Sequence, residues 1–189
     1  MYWGGELRII SGKARGTKLF TLEGENTRPT LDRIKEPLFS IIMNKIQDAE
    51  VLDLFAGSGA LGIESLSRGA KNAILCDNSR EAIKIINNNL EKTKLKDQAR
   101  ILNEDYKKCL NKLQGQKFDL IFLDPPYKSD YIEISVKQIL EQNLLKEDGL
   151  IIAETDRDDV IEQIKNIDVF IEDIRRYGRA ILIFLKRRE

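Results

Sequence analysis

The chain has no histidine, and its two cysteines, Cys76 and Cys109, lie far apart with no CxxC spacing. A metal site built from Cys and His is therefore not expected. Each thiol reads as a small core hydrophobe in a reducing, cytoplasmic setting. No apolar run approaches the ~18 residues a membrane helix needs. The N-terminus also lacks the basic flank and apolar stretch of a secretory signal. Proline is scarce, at four residues, and two of the four are adjacent, Pro125 and Pro126.

What is present fits one domain with a small appendage: 189 residues, 42% of them hydrophobic, enough for a sizeable core. Formal net charge is zero but unevenly spread. Residues 1–36 carry seven basic and five acidic side chains, residues 37–173 carry 18 and 25, and residues 174–189 carry six and one. An acidic body with basic ends permits an anionic partner at those ends.

From about residue 50, strand-like and helix-like segments alternate. Strands are expected at 51–55, 72–76, 99–102, 117–123 and 149–154. Helices are expected at 59–68, 79–93, 106–113, 131–142 and 158–165. Such units need crossover connections and imply a mostly parallel sheet with helices on both faces. The last two runs, near 169–174 and 180–186, are joined by a short Arg-Arg-Tyr-Gly-Arg link that suits an antiparallel hairpin. Ahead of this body, residues 7–10 and 17–20 flank Ser-Gly-Lys-Ala-Arg-Gly and read as a basic hairpin. A helix follows from Thr30 to about Asn44. Pro37 either kinks it or marks its true first turn. The expected division is an N-terminal extension, 1–30, and a main domain, 31–189.

Two loops carry chemistry. Gly57-x-Gly59-x-x-Gly62 follows a strand and opens a helix, as in nucleotide-binding fingerprints. Asp77, about 20 residues on, ends the next strand, where an acid can accept ribose hydroxyls; Asp105 reads as the end of the third strand, beside an adenine. Asp53 lies four residues before Gly57. A pyrophosphate would be repelled there, whereas a cofactor with an ammonium and a sulfonium would be attracted. That favours S-adenosylmethionine over a nicotinamide dinucleotide. The alternative for Asp53, Asp77 and Asp105 is a capping role only.

The second loop is Asp124-Pro125-Pro126-Tyr127, at the end of the 118–123 apolar run. An exocyclic aromatic amine is a poor nucleophile because its lone pair is delocalised into the ring. The Asp124 carboxylate and the Pro125 carbonyl can each accept one N–H and localise that pair. The prolines pre-aim the carbonyl. Tyr127 offers a face for an extruded base, worth roughly 1–3 kcal/mol. Methyl transfer from a sulfonium works by alignment and electrostatics, so no histidine base is needed. A plain strand-terminating turn is the structural alternative.

Together, Asp53-Leu-Phe-Ala-Gly-Ser-Gly59, Asp77 and Asp124-Pro-Pro-Tyr127 resemble the S-adenosylmethionine-dependent amino-methyltransferases of nucleic acids. Arg8-Ile-Ile-Ser-Gly-Lys-Ala-Arg-Gly16 and Arg28-Pro-Thr-Leu-Asp-Arg-Ile-Lys-Glu-Pro-Leu-Phe39 narrow the resemblance to the bacterial small-subunit (16S) rRNA guanine-N2 methyltransferase family, over about residues 7–187. The resemblance implies a Rossmann-like α/β methyltransferase with a seven-stranded, mostly parallel sheet, an antiparallel C-terminal strand and an N-terminal β-hairpin. It implies a cofactor site of Thr30, Asp53, Phe55, Ala56, Gly57, Ser58, Gly59, Asp77, Asn78, Asp105 and Tyr106. Asp124, Pro125, Pro126 and Tyr127 would receive the guanine. Arg8, Lys13, Arg15, Lys18, Arg28 and Arg33 would meet RNA phosphates of a small ribosomal subunit, with the enzyme a monomer. The chain departs from the family with Asp at 77, where Glu is common, and with Pro37 in place of a helix former.

Three rivals use the same residues differently. A DNA adenine-N6 methyltransferase shares the acid–Pro–Pro–aromatic logic, but there is no room for a large target-recognition domain. A protein glutamine methyltransferase would carry Asn at position 124. A non-catalytic RNA-binding protein would have no use for an intact cofactor loop.

Overall fold

The computed structural model describes residues 7–22, 29–126 and 130–188, with the side chains of 29–33 excepted. Its elements run α1 (Pro29–Ile41), β1 (Glu50–Asp53), α2 (Ala60–Ser67), β2 (Asn72–Asp77), α3 (Arg80–Thr93), β3 (Ala99–Asn103), α4 (Tyr106–Lys112), β4 (Phe118–Leu123), α5 (Tyr131–Glu141), β5 (Leu145–Thr155), α6 (Asp159–Lys165), β6 (Val169–Tyr177) and β7 (Ala180–Arg187). They form one sheet of seven strands in the order β3-β2-β1-β4-β5-β7-β6. Strands β1 to β5 pair parallel, and β7 lies antiparallel between β5 and β6.

Strand periodicity sorts the core into two layers. Val51, Leu75, Leu120, Phe122, Leu182 and Phe184 face α1, α2 and α3. Their neighbours Leu52, Cys76, Ile121, Leu123, Ile181 and Ile183 face α4, α5 and α6. Alternate side chains point to opposite faces, so strands covered on both sides read as continuous apolar runs. Cys76 and Cys109 are buried and free, and they meet side chain to side chain across this second layer. That contact, together with burial, pushes the Cys76 thiol up, so it behaves as a core group.

Helix α1 continues through Pro37 rather than starting there. Proline removes one backbone donor, at a cost of ~3 kcal/mol. Buried Ile34, Leu38 and Phe39, on either side of Pro37, anchor the helix to the core. Strand β5 begins at Leu145, earlier than the expected 149, because Leu145 pairs with Phe118 ahead of a register shift. Asp105 is not a strand end. β3 stops at Asn103, and Asp105 caps α4 by accepting from the Lys107 N–H at 3.0 Å.

The arms of the N-terminal segment pair through one antiparallel bridge, Arg8 with Lys18. The segment lies flat on α2, every residue of which is buried. The Ser67 carbonyl accepts from the Lys13 N–H at 2.8 Å, and the Ser67 hydroxyl accepts from the Ala14 N–H at 2.9 Å. Glu64, fully buried, accepts from Ile10 N–H at 2.8 Å, Ser11 N–H at 3.0 Å and Arg68 Nε at 2.7 Å. Lys35, also fully buried, stands 3.4 Å from the same carboxylate and donates to the Arg8 carbonyl. One buried acid thus fastens segment, α1 and α2 together, with two cations offsetting its desolvation.

Candidate active site

The sheet order reverses between β1 and β4, and in doubly wound sheets ligands bind where neighbouring strands diverge at their carboxyl ends. A cavity of about 330 Å³ lies there. The loop after β1 forms its floor, with Phe55, Ala56, Gly57 and Ser58 all on the lining. Asp77 holds this loop in shape. Its Oδ2 accepts from the Gly57 N–H at 2.9 Å, and its Oδ1 accepts from the Ser79 N–H at 2.8 Å. Each oxygen keeps a further lone pair for a ligand hydroxyl. Gly59 initiates α2 and does not line the cavity.

Asp53 ends β1 inside the core and is 1% exposed, yet it lines the cavity. Its Oδ2 accepts from the Gly62 N–H at 3.0 Å. Its Oδ1 has no hydrogen-bond partner among the described residues. Burial pushes the carboxyl up to about 7; the Gly62 bond opposes that shift, and Asp124 and Asp77 add to it. An orphaned, buried acceptor on a cavity wall fits a cationic ligand group, which would supply the missing donor and restore the charged form. The donor set thus fits S-adenosylmethionine: a carboxylate for an ammonium, a second carboxylate for a diol, and an apolar wall for a base.

Of the acid–diproline turn, Asp124 is half-buried, Pro125 is buried, and Asp124 and Pro126 line the same cavity. Tyr127 lies outside the described residues, as do Arg28 and the side chains of Thr30 and Arg33. Asn78, Asp105 and Tyr106 line the cavity. Tyr131, unforeseen in the sequence, completes an aromatic wall. Its ring lies 6.1 Å from that of Phe55 in a stacked arrangement and 4.8 Å from that of Tyr106. Leu7, Thr21 and Leu22 also line the cavity, so the N-terminal segment forms part of its wall. Among the described residues no group of three or more His, Cys, Asp or Glu could hold a metal ion. No described helix is long and apolar enough to cross a membrane.

The four described phosphate-contact candidates are all exposed and fall in two separate pairs. Arg8 and Lys18 face each other across the bridge. Lys13 and Arg15 sit in the turn beside Ser67, at the end of α2 remote from the glycine loop. Eight helical residues, about 12 Å, separate those ends.

A reversed parallel sheet, a glycine loop after β1, an acid ending β2 and an acid–diproline turn after β4 define the class of S-adenosylmethionine-dependent methyltransferases. The solved structure of Escherichia coli yhhF, described by its name as a candidate methyltransferase, superposes with a TM-score of 0.84 at 32% identity, over 97% of this chain and 98% of that one. The model of the family called Conserved hypothetical protein 95 matches residues 7–186, and the chain belongs to that family. Ribosomal RNA small subunit methyltransferase D of Haemophilus influenzae is 42% identical over 156 residues, covering 82% of this chain and 81% of that protein. Its namesake in Escherichia coli K12 is 36% identical over 152 residues, covering 80% and 76%.

Proposed function

We propose that this chain moves a methyl group from S-adenosylmethionine to the exocyclic N2 of a guanine in small-subunit rRNA. One observation carries the reading: Asp124 and Pro126 line the same cavity as Asp53, Gly57 and Asp77. Cofactor and amine would therefore meet in one enclosure. The rRNA substrate is supported by the names of the relatives above.

The cofactor supplies a methyl group already activated on a sulfonium. The rest is the work of this chain's residues. Asp53 accepts from the ammonium through Oδ1. Asp77 accepts from the ribose hydroxyls while holding Gly57. Phe55 and Tyr106, with Asn78 and Asp105 beside them, flank the adenine. Thr30 borders the mouth. Asp124 and the Pro125 carbonyl each take one N2–H, which localises the nitrogen lone pair, and Tyr127 stacks on the ring. The proton leaves to Asp124 or water once the nitrogen has become cationic. The guanine first leaves its stack, at a cost of a few kcal/mol. Arg8, Lys13, Arg15, Lys18, Arg28 and Arg33 hold phosphates, and the substrate is an assembled or partly assembled small subunit met by a monomer.

The test is transfer of labelled methyl from S-adenosylmethionine to small subunits lacking the modification, followed by nucleoside analysis. Label in N2-methylguanosine is expected. Label in another nucleoside, or in ribosomal protein, would overturn the assignment of the target atom.

A further inference from the structure

Phe20 is an exposed aromatic at the rim of the cofactor cavity, with 49% of its surface open. Its backbone is held from both sides by one fully buried side chain. Asn89 Oδ1 accepts from the Phe20 N–H at 2.8 Å, and Asn89 Nδ2 donates to the Phe20 carbonyl at 3.0 Å. The same amide donates to the Ser58 carbonyl at 2.9 Å, which ties Phe20 to the glycine loop. The next two residues, Thr21 and Leu22, line the cavity itself. At about 3.3 Å per extended residue, the Phe20 backbone lies within ~7 Å of both.

The Lys92 ammonium lies 4.4 Å from the ring centroid. Alternation along the segment puts Lys18 and Phe20 outward and Leu19 inward, and the bridge sets Arg8 beside Lys18. Residues 7–22 contain four cations and no acid. A lone exposed ring would need no explanation. This ring has a pinned backbone, a cation above it and the bridged pair Arg8 and Lys18 on the same segment, a combination that suits unpaired nucleotides.

We infer that Phe20, flanked by Lys92 and Lys18, is a stacking platform for an unpaired base next to the methylated nucleotide. The inference rests on the RNA reading above and adds a contact to it. Flipping a guanine leaves its neighbours without a stacking partner. A fixed aromatic beside the cavity replaces that partner, and the lysines neutralise the adjoining phosphates.

The experiment is equilibrium binding of two RNA probes, a short fluorescein-labelled single-stranded RNA and protein-free small-subunit rRNA, and of assembled small subunits, to wild type, Phe20→Leu, Phe20→Trp and Lys92→Gln. Phe20→Leu is expected to bind both RNA probes about tenfold more weakly, with unchanged cofactor affinity and thermal unfolding. Phe20→Trp keeps a stacking face and binds as wild type. Lys92→Gln flattens the log–log salt dependence by ~0.7. Wild-type affinity in Phe20→Leu would overturn the inference. So would a loss seen only with assembled subunits, which would make Phe20 a protein contact. If wild-type RNA binding depends on Phe20 but no methyl enters rRNA, the target reading fails and the platform stands.

Discussion

Replacing Asp53 with asparagine perturbs the most unusual titration in the site. The carboxyl stands at about 7 rather than 3.8, because burial disfavours its charge and Asp124 and Asp77 repel it. The folded protein therefore keeps a proton that the unfolded chain releases as pH rises above 4. A raised carboxyl pKa gives stability that is fully present below the unfolded value and is lost as pH climbs through the folded one. At 1.36 kcal/mol per pH unit, the loss across this window is on the order of 4 kcal/mol. Asparagine keeps a carbonyl for the Gly62 N–H and has nothing to titrate. Urea unfolding of the cofactor-free protein should show the stability of Asp53→Asn rising relative to wild type by that amount between pH 4 and pH 8. Groups common to both proteins cancel in the difference. The same proton must leave before the carboxylate can hold an ammonium. Wild-type affinity for S-adenosylmethionine should therefore increase up to tenfold per unit between pH 5 and pH 7, and the variant should be weaker and pH-independent. Parallel unfolding curves for the two proteins would refute the reasoning.

Glu64→Gln removes a fully buried carboxylate charge that accepts from Ile10, Ser11 and Arg68 and stands 3.4 Å from Lys35, and should cost about 3 kcal/mol in urea unfolding. Gly12→Ala should lower the melting temperature strongly, because φ is +85° and the added methyl would lie 1.8 Å from the Ser67 carbonyl oxygen, forcing the turn off α2. Gly57→Ala, at φ +53° with nothing within 4 Å, should cost only about 1 kcal/mol of stability yet weaken cofactor binding measured by calorimetry.

The sheet, its helices and the positions of Asp53, Gly57, Asp77 and Asp124 were readable because each depends on near neighbours in the chain. A strand period followed by a glycine loop or a diproline is a local signal. Asp105 misread as a strand end because a strand terminus and a helix cap use the same residue types; the helix that follows decides for the cap. The segment that lines the cavity at Leu7, Thr21 and Leu22 was read only as a basic hairpin. Its seat depends on bonds such as Ile10 to Glu64, 54 residues apart, which no local pattern encodes. One clue was available: α2 is apolar or small all round with a single acid, as a helix covered on every side must be. Tyr131 gave no signal, since a tyrosine at a helix start is ordinary until the fold brings Phe55 and Tyr106 to it.

The claim that one cavity separates cofactor holding from amine activation has a direct test. Calorimetric binding of S-adenosylmethionine and methyl transfer to small subunits would be measured side by side for Asp77→Ala and Asp124→Ala. Asp77→Ala should lose cofactor binding and transfer together. Asp124→Ala should bind cofactor within a few-fold of wild type and lose about 10²–10³ in turnover. Full turnover in Asp124→Ala, or intact cofactor binding in Asp77→Ala, would contradict the division of labour.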